Sequence, residues 1–150
     1  MLLTGFLDWN RGSVVNKVRG LSRADATRVM TPSGLSALGV VAHLAAVEVG
    51  WFAETFAGEP VDLRWDAHWS FRVEAGDTVE SVVAEYEEAC ERSRAIVAVA
   101  PTLDALSAVE HIHWGHVTLR WVLVHMLEET ARHAGHLDLM RESIDGVTGY

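Results

Sequence analysis

Apolar residues recur at helical rather than alternating spacing along most of the chain, and breakers divide that pattern into four long helical stretches. The first runs from about Leu2 to Arg19, with Leu3, Phe6, Leu7, Val14, Val15 and Val18 as its apolar side and Gly20 ending it. A short helical turn is predicted after Ser22. Thr31 to Gly34 then punctuate the chain, and a second helix extends to about Ala57 on a stripe of Leu38, Val41, Ala45, Val49, Phe52 and Phe56, stopped by Gly58 and Pro60. Residues 59–76 lack helical periodicity and are predicted to form a long crossover loop, anchored by Trp65 and Trp69, with some extended structure near Phe71 to Val73. Asp77 or Thr78 caps a third helix to about Ala100, whose stripe is Val79, Val83, Tyr86, Cys90 and Val97, with Pro101 ending it. An irregular stretch from Thr102 to His116 leads into the last helix, about Val117 to Ser143, closed by Asp145 and Gly146. The expected fold is an all-α four-helix bundle formed by residues 1–150 as a single domain.

Composition narrows the possible partners. The chain has 150 residues, 49% of them apolar, enough for one continuous core. Its longest uninterrupted apolar runs, around Gly39 to Ala42 and Val97 to Pro101, fall short of the ~20 residues that cross a bilayer, so no membrane association is expected. No basic region precedes an apolar stretch at Met1, which points to a cytoplasmic location. Twelve basic against twenty-one acidic residues give a formal charge of -9, a poor match for a phosphate polyanion, so nucleic acid is excluded as the expected partner. The single Cys90 cannot build a disulfide or a Cys-rich zinc site and reads as a small buried hydrophobe.

Histidine supplies the candidate chemistry, since six of the eight lie between His111 and His136. On the last helix, Leu119, Leu123, Met126, Thr130, Ala134 and Leu137 define the inward stripe; His133 lies within it and Glu129 near its edge, while Glu128 and Arg132 point to solvent as an ordinary ion pair. Glu129 and His133 stand four residues apart, roughly 6 Å along the axis, and can converge on one ion. A third ligand is expected from a facing helix, and His43 is the candidate on the second. Its neighbours Ser36, Gly39, Val40, Val47 and Gly50 are small enough to leave room for an ion and a bound molecule. Two imidazoles and a carboxylate leave coordination positions open, as catalytic metal sites do. Spacing alone leaves other readings open: Glu129 and His133 can simply hydrogen-bond each other, and His125 or His136 can take the place of Glu129 or orient a ligand from behind. His111, His113 and His116 lie in a loop whose reach to this site the sequence does not fix.

The residues Leu119-Arg120-Trp121, His125, Glu128-Glu129 and Arg132-His133-Ala134-Gly135-His136, together with Ala42-His43-Leu44 followed by Trp51-Phe52, and Leu7-Asp8-Trp9 with Arg11, resemble the DinB-like superfamily, in particular its mini-circle protein domain of unknown function. The resemblance spans nearly the whole chain. It implies an up-down-down-up bundle with a metal in an open cleft, held by one histidine of the second helix and two residues four apart on the last. Many members use three histidines; Glu129 departs from that pattern and is similar to the His, Glu, His set of mycothiol-dependent maleylpyruvate isomerases. The carried-over ligands are His43, Glu129 and His133, with zinc the expected ion and nickel the alternative.

The expected function is that of a metal-dependent enzyme acting on a small molecule, of the kind that transfers or isomerises substrates with a low-molecular-weight thiol such as mycothiol. The alternatives are a metal-dependent hydrolase and a non-catalytic metal-binding or regulatory module, either compatible with a homodimer.

Overall fold

In a computed structural model the chain is described over residues 2–61 and 71–149. The helices are α1 (Leu2–Val18), a single turn α2 (Arg23–Ala26), α3 (Ala37–Glu48), α4 (Val79–Val99) and α5 (Leu119–Asp145). α3 runs on directly as a π-helix, Val49–Phe56. The architecture is an all-α bundle. α1 packs most extensively on α5 and α3 on α4, while α3 also meets α5; α1 meets α4 only slightly.

Side chains or glycine satisfy the orphan backbone groups at the starts of α3, α4 and α5 and at the end of α5. Ser36 Oγ accepts from Gly39 N at the start of α3, Thr78 and Ser81 cap α4 reciprocally, and Thr118 Oγ1 accepts from Trp121 N at the start of α5. Gly146, at φ 75°, ends α5 in the left-handed conformation that a side chain would strain.

The predicted stripes hold with one clear correction. Leu7, Val14, Val15 and Val18 are buried, but Phe6 is 54% exposed, because the buried side of α1 runs through Leu7, Arg11, Val14 and Val18, and Phe6 lies ~100° away from Leu7. Cys90 is buried, as expected, and burial first of all pushes its thiol up to about 12, so it is no nucleophile near neutral pH. By length and composition the helix Ala37–Phe56 could cross a membrane, unlike any uninterrupted apolar run in the sequence; 78% of its most apolar window is buried inside the bundle. It is apolar nearly all round because it packs on α1, α4 and α5 at once.

Among the described residues no strand forms; the segment after Phe71 is irregular, correcting the extended structure expected there. Trp65 and Trp69 lie outside the described residues. The Thr102 to His116 connection is more ordered than its composition implies. Two isolated antiparallel bridges, Leu106 with Thr118 and His111 with Gly115, fold it back on itself. Ala108 N and Val109 N donate to the carbonyls of Phe56 and Thr55, satisfying the end of the π-helix and fixing the loop to it.

One buried ion pair was not anticipated. Arg11 is 5% exposed and Glu48 fully buried, and they meet as a fork: Nε donates to Oε1 at 2.8 Å and Nη2 to Oε2 at 2.6 Å. Arg11 Nη1 also donates to Asp8 Oδ1, which accepts from Arg94 as well. Burial opposes the guanidinium's charge, but the attraction and hydrogen bonds from Glu48, with smaller help from Asp8, together raise the Arg11 pKa and keep the guanidinium charged.

Candidate metal centre

α3 and α5 bring His43, Glu129 and His133 together. His43 Nε2 and His133 Nε2 each lie 3.1 Å from the same oxygen, Oε1 of Glu129, and the three potential ligand atoms fall within 4.8 Å of one another. Both imidazoles are buried, and the Glu129 side chain is 20% exposed, which leaves the group open on one side. Contacts from His133 first and His43 second hold the Glu129 carboxyl well below the usual carboxylate range, against the opposing effect of burial. The glutamate is therefore an anion facing two imidazole nitrogens. Two nitrogens aimed at one oxygen need an N–H to satisfy them; a divalent cation among the three atoms would satisfy all of them with lone pairs. The donor set also suits a borderline ion such as zinc.

Neighbouring rings set the imidazole orientations. Phe71 stacks on His43 with centroids 4.0 Å apart and planes 10° from parallel. The space that small residues on α3 were expected to leave for an ion is partly taken by this segment: a Cβ on Gly39 would stand 2.7 Å from the Phe71 carbonyl oxygen, so the glycine admits the crossing chain. Ser36, from the same face, is used as the α3 cap. On α5, His136 Nδ1 lies 3.3 Å from His133 Nδ1, behind the nitrogen that faces Glu129. Burial, and then His133, lower the His136 pKa, which leaves a neutral ring able to accept from a His133 Nδ1–H.

The other candidates separate cleanly. Glu128 pairs with Arg132 at the surface. His125 belongs to a cluster of rings, stacked on Trp121 and edge-on to Trp51, and not to the contacts around Glu129 expected of a ligand substitute. His111 stacks on Trp51 and Trp114 in that cluster, and His113 packs against His111 and Trp114. His116 Nδ1 lies 2.7 Å from the Ser107 carbonyl. No periodic signal announces this cluster, since its members come from the π-helix, the loop and α5; only the local density of Trp and His hinted at it.

The lowered Glu129 pKa gives a pH expectation. The Glu129 carboxylate stays ionised well below the usual carboxylate range, and only an unprotonated imidazole can ligate, so metal uptake should weaken on acidification before Glu129 itself takes up a proton. Competition with a chromogenic chelator between pH 5 and 8 measures this; uptake that stays constant down to about pH 5 would contradict ligation by imidazole.

No match is found among curated proteins. A family model described as mycothiol-S-transferase matches residues 2–146, in keeping with the DinB-like motifs of α3 and α5. With that match covering almost the whole bundle and the site within it, the chain belongs to the mycothiol S-transferase family.

Proposed function

We propose that the protein is a metal-dependent S-transferase that joins a low-molecular-weight thiol of the mycothiol type to a reactive carbon electrophile. The observation that carries this reading is the convergence of His43, Glu129 and His133 on one point, open on one side, in a chain of this family. Those three residues would hold the ion, with zinc the best fit to the donor set and nickel the alternative. A divalent ion there supplies positive charge that favours thiolate over thiol near neutral pH.

The chain's own groups do the rest. Glu129 offsets one positive charge, so the site as a whole carries about one unit and attracts a thiolate without binding it irreversibly. His136 fixes the His133 tautomer by accepting at Nδ1, and Phe71 holds the His43 ring in plane. In the transfer itself the sulfur lone pair forms the new C–S bond, the leaving group departs with its bonding pair, and the thiol proton passes to solvent. The site is expected to serve a cytoplasmic enzyme, where such thiols are kept reduced.

Purified protein incubated with mycothiol and an alkylating electrophile should form the conjugate, and a chelator should stop it. Turnover of a hydrolysable ester without thiol would instead indicate a hydrolase. Metal removal should not unfold the chain, because the core is built of aliphatic and aromatic side chains without the ion. Apo protein should keep its helical circular dichroism and lose on the order of 3 kcal/mol of apparent stability relative to protein with ion at about a hundred times its Kd.

A further inference from the structure

Beyond the metal centre, the rings of Trp51, His111, Trp114, Trp121 and His125 form one continuous cluster. Neighbouring centroids lie between 4.5 Å, for His111 and Trp114, and 6.4 Å, for Trp114 and His125. Its place relative to the centre follows from helix geometry. His125 and Trp121 stand one and two turns before Glu129 on α5, ~6 and ~12 Å along the axis. Trp51 lies beyond His43 on the same continuous helix, in its π segment, and makes an edge contact with His125 at 4.7 Å. The cluster therefore adjoins the metal centre along the α3/α5 seam.

Backbone hydrogen bonds tie the loop of the cluster down, and one member faces outward. His111 and Gly115 exchange both backbone hydrogen bonds at 2.9 Å, and Gly115 takes φ 63°, so residues 112–114 form a tight hairpin tip. Trp114 on that tip is 52% exposed, although it packs against His111, Trp121 and Trp51. Half an indole left in water at the edge of a packed ring cluster offers a flat apolar face to a ligand.

We infer that this cluster is a stacking platform for the electrophile, and that it selects planar aromatic electrophiles whose reactive carbon reaches the His43, Glu129 and His133 centre. The substrate-class assignment rests on the S-transferase reading above, although the platform's binding of a ring does not. The rings pack on one another instead of surrounding an empty centre, which suits a flat ligand laid on an outer face better than a cation held in a cage. Burial is the main cause that lowers the pKa of both His111 and His125, which keeps the platform uncharged near neutral pH and favours a neutral ring.

The test uses the metal-loaded full chain, with dinitrobenzene as an unreactive aromatic probe and two electrophiles, chlorodinitrobenzene and iodoacetamide. Dinitrobenzene should bind saturably in equilibrium dialysis without any thiol. Trp114→Leu, which keeps apolar bulk but removes the ring, should weaken that binding and raise KM for chlorodinitrobenzene roughly threefold to tenfold, with kcat and the iodoacetamide reaction unchanged. Trp114→Phe should restore most of both. Helical circular dichroism and metal content checked in each variant keep a folding defect separate. Failure of saturable binding, or an equal effect of Trp114→Leu on both electrophiles, overturns the platform. Saturable, Trp114-dependent binding without any thiol transfer upholds it while rejecting the S-transferase reading.

Discussion

Glu129→Ala is expected to lose most of its bound metal and all detectable thiol transfer, while Glu128→Ala retains both close to the unmodified protein. The two residues differ by one position and therefore by ~100° around α5. Glu129 puts one oxygen 3.1 Å from each imidazole, whereas Glu128 points to solvent and pairs with Arg132 in a bridge worth only ~0.3 to 0.5 kcal/mol. Removing Glu129 leaves two neutral nitrogens and no anion, a donor set too weak for a divalent ion in competition with buffer. Glu129→His should recover metal, since it restores a third imidazole, but should favour thiolate differently because the site then carries one more positive charge. Metal analysis and a conjugation assay on the three variants measure this, and a damaging Glu128→Ala beside a harmless Glu129→Ala would require the ligand set to be redrawn.

The largest effect on stability is expected away from the centre. Glu48→Ala would leave the Arg11 guanidinium buried with the half-buried Asp8 as its one anionic partner among the described residues, and stranding one member of a buried pair costs ~3 to 5 kcal/mol. The change should appear as a lower urea midpoint with metal held constant. Replacing both members, as Arg11→Met with Glu48→Leu, should recover most of the loss, because no charge is then left in the core. A Glu48→Ala protein within about 1 kcal/mol of the original would show that water or a rearranged Asp8 takes over the role of Glu48.

How much of this was legible in the sequence depends on whether the signal was local. Thr78, Thr118, Gly20 and Gly146 announce helix ends within one turn, and the spacing of Glu129 and His133 places both on one side of α5. The need for a third ligand from a facing helix adds His43, and the family motifs select the same residue. The Arg11–Glu48 pair was missed because its partners stand 37 positions apart, yet each sits on an apolar stripe, Arg11 between Leu7 and Val14 and Glu48 between Ala45 and Phe52. A charged residue on each of two buried stripes was the available signal. The π-helix had none, since Val49–Phe56 reads as ordinary amphipathic helix. Gly39 was misread for a related reason: its small size predicts a close approach, but not whether ligand or chain fills it, and the Phe71 carbonyl does.

The central claim is that one ion held by His43, Glu129 and His133 carries the thiol transfer. Stoichiometric reconstitution tests it most directly: protein stripped by chelator is titrated with zinc while mycothiol conjugation is followed. Conjugation should rise from the uncatalysed rate in proportion to added zinc and break sharply at one ion per chain, and the same titration of His43→Ala should stay flat. Full conjugation by the stripped protein, or by His43→Ala at one ion per chain, would contradict the account.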